Sequence, residues 1–510
     1  MGVGIKPIRK GIVMKRSFAL FLLLAVNFIF CLLLPVVCIG EIHVTFLHFN
    51  DVYEITPVSG GKEGGLARVS TLYKQLLKKN PNTISVLGGD LFSPSAMGTA
   101  VYNGDRLAGK QMVDVLNTMG LQYATFGNHE FDIKEGQFKN RMVEAEFTWI
   151  SSNVFNSDGK PFPGVKDSVI LNFADKDNGK IFKIGIFGIT LPVNKSDYVK
   201  YADPMQTASV QVAKLKDKCD FLIALTHQNI DEDEKLLTLY PEIDLLLGGH
   251  EHVNYQRWRG GFTPLLKADA NVRSVYVVDL RFNPDSGKTA ILPQLVPIND
   301  TIAEDLDVKT VVDKWTEIAF NSFRSQGLNP EEEITKTDEP LNGLEADIRT
   351  GTTNLTNLIA QSMLIPFPDA DLSVYNSGSI RIDDLLPAGI VTVYDVIRIV
   401  PFGGKVLKAE IKGGLLKRVL DQGDANYGSG GYLQYAKVSR LKKGDWIVNG
   451  SPIDINKTYV ISILDFLASG REQNLEFLNP STEGFKVVED GKVKDIRKLI
   501  IDSMKLSLSK

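Results

Sequence analysis

The chain has 510 residues, 44% of them hydrophobic and 23% charged, with a formal net charge of −4. That length exceeds what one hydrophobic core organises, so two or three domains are expected. The apolar and charged fractions are those of a globular protein, not of a disordered or fibrous chain.

Residues 1–40 differ from the rest. Lys6, Arg9, Lys10, Lys15 and Arg16 precede an almost wholly apolar run, Phe18–Cys38, and no acidic residue interrupts them. A positive stretch followed by an apolar one is the pattern of an export signal. Met14-Lys15-Arg16 opens a more ordinary signal than Met1 does, which makes Met14 a candidate start. The apolar run is long enough to span a bilayer. Cleavage near Gly40 is the expected outcome, and a retained anchor, tying the protein to a membrane, is the alternative. Cys38 follows Val36-Val37, not the small residue a lipidated cysteine needs, and the C-terminal Leu-Ser-Leu-Ser-Lys lacks the apolar tail of a lipid-anchor signal. The expected location is therefore periplasmic, secreted or cell-surface.

Removal of residues 1–40 takes away only positive charges and leaves a net charge of −9. A chain that acidic is not held to nucleic acid or anionic lipid by general electrostatics. An anionic substrate needs local arginines or metal ions instead. Cys219 alone remains of the cysteines, which rules out an internal disulfide and a cysteine-based zinc site.

The elements then follow in order. Val44–Phe49 reads as a strand closed by Asn50-Asp51, and Leu66, Val69, Tyr73, Leu76 and Leu77 mark a helix over 66–79. Thr83–Leu87 is a second strand ended by Gly88-Gly89-Asp90. Asp105–Met119 is expected to be a helix stopped by Gly120, and Tyr123–Phe126 a strand leading into Gly127-Asn128-His129-Glu130-Phe131-Asp132. Such a β-α-β-α-β run predicts a parallel sheet with right-handed crossovers. Ile181–Ile189, Phe221–Thr226 and Ile243–Leu247 are further strands, the last two ending at His227 and at Gly248-Gly249-His250-Glu251-His252.

Strands of a parallel sheet end along one edge, where ligands bind. Four of the six histidines, His129, His227, His250 and His252, fall at these ends beside Asp51, Asp90 and Asn128. His250 and His252 are two apart, so both rings of an extended segment would project from one side. A lone histidine is more often a core or surface residue than a ligand. A set of nitrogen and oxygen donors at one sheet edge suits a pair of divalent ions such as zinc or manganese, with Asp90, flanked by glycine, as the natural bridge. His129 and Asp132, three apart, would share one face of a turn, the acid orienting the imidazole.

The ordered blocks Asn50-Asp51, Gly89-Asp90, Gly127-Asn128-His129-Glu130, Thr226-His227 and Gly249-His250-Glu251-His252 resemble those of the calcineurin-like metallophosphoesterases. With the second half included, residues 42–480 resemble the secreted 5'-nucleotidase family. The resemblance implies an α/β protein: a four-layer αββα metallophosphoesterase sandwich over 41–300, a linker helix over 301–333, and a smaller α+β substrate-binding domain over 334–510. It implies that Asp51, Asp90 and His252 hold one metal, that Asp90, Asn128, His227 and His250 hold the other, and that His129 and Asp132 are the catalytic pair. One position departs: the family reads Asp-x-His where this chain has Asp51-Val52-Tyr53. Three readings stand open. Tyr53 ligates a harder ion, the first metal is held loosely, or the ring merely packs.

In the second half, Val308–Arg324 reads as the joining helix, and Thr352–Ile359 as a capped helix start after Arg349. Asn376-Ser-Gly-Ser-Ile-Arg381 follows a strand over 371–375, Pro401-Phe402-Gly403-Gly404 a strand expected over 396–400, and Asp465-Phe466 a strand over 459–464. Two guanidinium forks suit an anion and two aromatic faces suit a planar base. A phenylalanine beside a strand is ordinarily core, and it is the order of the blocks that resembles the family's C-terminal domain. By that resemblance Arg349, Asn376 and Arg381 contact the substrate's polar groups while Phe402 and Phe466 sandwich the base. Gly470-Arg471-Glu472-Gln473 departs from the family's glycine-rich segment, so base and sugar preference are not inherited.

The expected function is a dimetal phosphohydrolase of 5'-nucleotidase type, a metal-activated water attacking phosphorus. A 2',3'-cyclic-nucleotide phosphodiesterase and a nucleotide-sugar pyrophosphatase would use the same metals. A non-catalytic nucleotide-binding exported protein is the alternative of another class. The expected partner is a small nucleotide, with no nucleic acid, and the sequence does not set the oligomeric state.

Overall fold

A computed structural model describes residues 1–2, 40–175, 179–193, 196–441, 445–488, 491 and 494–507. The N-terminal signal or anchor lies outside the described residues apart from its ends, and among the described residues no helix is long and apolar enough to cross a membrane.

The first domain is built on two six-stranded sheets. The leading strands and helices are β1 (Ile42–Phe49), α1 (Leu66–Lys79), β2 (Thr83–Leu87), α2 (Lys110–Met119), β3 (Tyr123–Ala124), α3 (Glu135–Glu144) and β4 (Thr148–Trp149). There follow β5 (Ser168–Ala174), β6 (Ile181–Thr190), α4 (Pro204–Leu215), β7 (Phe221–His227), α5 (Ile230–Leu239), β8 (Leu245–Gly249), β9 (Tyr255–Arg259), β10 (Thr263–Lys267), β11 (Ser274–Asn283) and β12 (Lys288–Pro297). The first sheet runs β12-β11-β1-β2-β3-β4 and the second β5-β6-β7-β8-β10-β9. In each, the central strands are parallel; antiparallel strands close both edges of the second sheet and the β11-β12 edge of the first, whose other edge, β4, is parallel.

Alternation along the strands sorts the layers. Val44, Phe46, Ile84 and Val86 of the first sheet meet Ile184, Ile223, Leu225 and Leu247 of the second in an apolar layer between them. On the outer face Leu47, Phe49 and Leu87 meet α1 and α2, while Phe187, Ile189 and Leu246 meet α4 and α5. The result is helix, sheet, sheet, helix.

One helix is shorter than the spacing predicts. Asp105-Arg106 pairs with Val101-Tyr102 across Asn103-Gly104, both at positive φ, and α2 begins only after Gly109. Asn-Gly favours a tight hairpin turn, and that local preference overrides the helical periodicity upstream.

Helix α6 (Leu306–Ser325) lies along the first domain, Trp315 donating to Asp114 of α2 at 2.7 Å, and its Phe320 ring touches Tyr394 of the second domain at 5.0 Å. The second domain contains α7 (Asn354–Ser362), β13 (Leu372–Asn376), α8 (Val393–Ile399), β14 (Lys405–Lys412), α9 (Gly413–Ala425), β15 (Leu433–Ala436), β16 (Thr458–Leu464), β17 (Phe485–Val488) and α10 (Ile496–Ser507). Its sheet runs β15-β13-β16-β14-β17, with α9 packed on one face and α7 and α10 on the other. The strand expected over 396–400 is helix α8. Thr392 and Asp395 form a reciprocal capping box that fixes the helix start, a signal stronger than the β-branched content of the run.

Candidate metal centre and substrate cleft

The rim where the parallel strands end gathers the acidic and imidazole side chains. Asp51 follows β1, Asp90 follows β2, and His227 ends β7, and the three offer ligand atoms within 4.8 Å of one another. His227 Nε2 lies 3.2 Å from Asp90 Oδ2 and 3.9 Å from Asp51 Oδ1, all fully buried. The same Asp90 Oδ2 is 3.1 Å from the Tyr53 hydroxyl, so one oxygen stands between two groups of donors. His250 packs its ring edge-on to His227, centroids 5.4 Å apart, and its backbone N–H donates to Asp51 at 2.8 Å. Asn128 is buried at the head of the turn that carries His129.

Backbone conformation makes this crowding possible. Asp51, Asp90, His250 and His252 all have positive φ, of 52°, 60°, 94° and 60°. Non-glycine residues in that region are strained, and such strain concentrates at functional sites. The same kinks correct one expectation. The His250–His252 segment is not extended, and its rings part: His250 turns to His227 while His252 turns to Tyr53 and Asp383. Gly127 is equally constrained, since a Cβ there would lie 2.1 Å from Asp90 Oδ1.

Charge accumulates accordingly. Burial opposes ionisation of Asp51 and Asp90, yet the neighbouring histidines outweigh it and hold both carboxyls below their usual range. Burial works against a charged His227 too, but Asp90 and Asp51 push the imidazole up to about 9. Its Nδ1 faces the Gly88 carbonyl at 2.7 Å, which leaves Nε2 directed at two carboxylates. An imidazole nitrogen converging on two carboxylates is satisfied by a cation, a proton or a metal ion, and the buried N and O donors are those that divalent ions prefer. The residues present therefore fit a divalent metal.

Beside this centre, His129 Nδ1 lies 2.6 Å from Asp132 Oδ2 and its backbone N–H donates to Asp90 at 2.8 Å. Burial lowers the affinity of this imidazole for a proton, but Asp90 and Asp132 more than compensate and raise its pKa. The ring remains 22% exposed, open to the cleft.

The second domain presents its residues across that cleft. Arg381 is near enough to act on the charge of His129 and sits over the Phe402 ring at 5.9 Å. Phe402 is 44% exposed and, with Asp132, Ser93, Arg106 and Lys134, lines a cavity of about 440 Å³ between the domains. Burial, reinforced by Arg381, brings the Arg349 guanidinium down to about 10, so two cationic groups lie close together. Arg349 is ion-paired through Nη2 with Glu345, and the buried Nε atoms of both arginines have no hydrogen-bond partner. Asn376 is buried and accepts from Ser379 at 2.7 Å. Phe466 is half-buried beneath Arg471, with no ring contact to Phe402 among the described residues.

Several supporting residues are not singled out from the sequence, although Glu130 and Glu251 lie inside its motif blocks. Glu130 is fully buried and accepts from the backbone N–H groups of Asp90, Leu91 and Gly127, clamping two of the site's loops together. Burial and the nearby Asp90 push its carboxyl up to about 7. Buried Lys267 bridges Asp233 and Glu251 under the His250–His252 loop. Asp383, from the second domain, binds His252 Nδ1. His48 is a core residue, its Nε2 3.0 Å from the Gly248 carbonyl, and His43 is a surface residue beside Glu41.

Comparison with known proteins agrees with this architecture. Residues 34–254 match the calcineurin-like phosphoesterase model, and residues 333–478 match the 5'-nucleotidase C-terminal domain model. A snake venom 5'-nucleotidase of Crotalus adamanteus is 26% identical, over 86% of this chain and 83% of its own. The 5'-nucleotidase of Bos taurus is 25% identical, over 88% and 85%. The crystal structure of a 5'-nucleotidase precursor from Thermus thermophilus superposes with a TM-score of 0.72 at 22% identity, covering 91% of this chain and 96% of that one. The αββα sandwich followed by the smaller sheet domain is thus a shared fold, and the chain belongs to the 5'-nucleotidase family, which joins a calcineurin-like phosphoesterase domain to a 5'-nucleotidase C-terminal domain.

Proposed function

We propose that this protein is a metal-dependent phosphohydrolase that releases phosphate from nucleotides, of 5'-nucleotidase type, acting outside the cytoplasm. The observation that carries the reading is the convergence of Asp51, Asp90 and His227 on one buried point beside the His129–Asp132 pair. Two half-sites share Asp90: Asp51 and His252 complete one, and Asn128, His227 and His250 the other. Divalent ions bound there supply Lewis acidity toward the phosphoryl oxygens and make water a competent nucleophile near neutral pH.

The protein's own groups do the rest. His129, whose hold on a proton Asp90 and Asp132 strengthen, faces the cleft and donates to the oxygen on which charge builds as the ester bond breaks. Asp132 fixes the ring so that Nε2 points outward. Arg349 and Arg381 bring two neighbouring positive charges to the substrate's anionic part, and Phe402 offers an exposed aromatic face to the base. Binding energy gathered on the nucleoside is thereby used to place the phosphate at the metal rim.

The test is a panel of nucleoside mono-, di- and cyclic phosphates and nucleotide sugars, run on chelator-stripped protein reloaded with zinc, manganese or cobalt. Metal-dependent phosphate release from 5'-monophosphates supports the reading. Preference for 2',3'-cyclic or pyrophosphate bonds reassigns the substrate within the same chemistry. Tight nucleotide binding with no turnover under any metal overturns it.

A further inference from the structure

Tyr53 is placed as no packing residue need be. Its hydroxyl oxygen lies 3.2 Å from Asp51 Oδ1, 3.1 Å from Asp90 Oδ2 and 2.8 Å from His252 Nε2. Asp51 Oδ1 and His252 Nε2 are themselves 3.5 Å apart. Four ligands held about 2.0–2.2 Å from one cation in a tetrahedron are separated by about 3.3–3.6 Å along each edge. Of the four separations seen here, 3.5 Å lies within that range and the three from the hydroxyl, 2.8 to 3.2 Å, fall short of it, so the hydroxyl would draw back slightly as a cation enters. A phenol satisfied by a single hydrogen bond would face one acceptor. This one faces two carboxylate oxygens and an imidazole nitrogen together, and one O–H proton cannot serve both carboxylates.

The position is not that of a side chain free to swing aside. The Val52 backbone N–H donates to the Asp90 carbonyl at 2.9 Å, and those of Tyr53 and Glu54 to Asn271 Oδ1 at 3.1 and 3.2 Å, so the chain on both sides of the ring root is pinned. The ring is 6% exposed and meets the His252 and His129 rings edge-on at 5.3 and 6.4 Å. His252 is also oriented: its Nδ1 is engaged by Asp383, which points Nε2 toward Tyr53.

Resting on the metallophosphohydrolase reading above, we infer that Tyr53 Oη is the fourth protein ligand of the Asp51–Asp90–His252 half-site. That half-site then has three oxygen donors and one nitrogen, whereas its neighbour has two imidazoles. The oxygen-rich half favours the harder cation, manganese over zinc, relative to the imidazole-rich half. On loading, the phenolic O–H bond breaks, the oxygen keeps the electron pair and donates it to the cation, and the proton leaves to the buffer.

The experiment uses the chelator-stripped full chain titrated with Mn(II) and, separately, Zn(II), followed by calorimetry in two buffers of different ionisation enthalpy and by ultraviolet difference spectroscopy. The wild type is expected to bind two ions, with a tyrosinate difference band that saturates with one of them and one proton released beyond what Tyr53→Phe releases. Tyr53→Phe should keep one site unchanged and lose at least tenfold in affinity at the other, with no band. Tyr53→His should restore two sites without the band and shift that half-site toward zinc. Should Tyr53→Phe misfold, the wild-type band and the Tyr53→His metal preference decide alone. Equal binding by wild type and Tyr53→Phe with no band reduces Tyr53 to packing and overturns the inference while leaving the phosphohydrolase reading intact. Failure of the wild type to bind either ion overturns that reading itself.

Discussion

Asp383 of the second domain is hydrogen-bonded through Oδ2 to Nδ1 of His252 in the first, and its Oδ1 accepts from the Glu345 backbone at 2.6 Å. The bond joins the small domain directly to a residue of the metal rim. A carboxylate on the far nitrogen fixes the tautomer and strengthens the near nitrogen as a donor. Asp383→Asn should weaken metal binding at one half-site by about 10–100-fold. Dialysis against buffered metal followed by elemental analysis checks it, and excess metal should restore most of the turnover.

His129→Ala should lower kcat by about 10²–10⁴-fold, the usual range for loss of a general acid or base. Metal content should be unchanged, because the imidazole contacts Asp132 and its backbone N–H, not its ring, holds Asp90. Asp132→Asn should act in the same direction and more weakly. Turnover of His129→Ala within twofold of wild type removes the proposed role.

Phe402→Ala should raise KM for nucleotides by roughly 5–150-fold, the range set by about 1–3 kcal/mol of base stacking. Its exposed ring holds up no core, so the melting temperature should stay put. An equal loss with p-nitrophenyl phosphate would contradict recognition of the base.

His48 gives a pH prediction that does not involve the reaction. Full burial drives its imidazole down to about 4, against an ordinary 6.5, while the Gly248 carbonyl only partly offsets the effect. The unfolded chain therefore binds a proton that the native state refuses between these values. The contribution is fully present above pH 6.5 and lost as pH falls toward 4, worth about 3 kcal/mol at the limit. Urea unfolding across that window should show the slope, and His48→Asn should flatten it whatever it does to overall stability.

Much of this was legible in the sequence, for a physical reason. Strands that end in Asp, Asn or His along a parallel sheet share a rim, which puts Asp51 with Asp90 on the first sheet and His227 with His250 on the second, and the stacking of the two sheets brings the rims together. Helix α1 and strand β2 fall where periodicity puts them. Helix α8 reads as a strand in the sequence because a short run of valine and isoleucine has no period of its own, and the capping pair Thr392–Asp395 decides it. The reach of Asp383 to His252 spans 131 residues, and that of Tyr394 to Glu54 spans 340, at 2.9 Å. Neither pairing has a local pattern, since each depends on how one finished domain rests on another.

The left-handed backbone at Asp51, Asp90, His250 and His252 bears on any attempt to move this chemistry elsewhere. Those four kinks persist because two sheets and their glycine-lined loops over-determine them. A peptide copied from one loop, or a loop set grafted onto a foreign host, would relax into commoner conformations and scatter its donors. Transplantation succeeds only if the recipient brings both sheet edges, at the same separation, along with the loops.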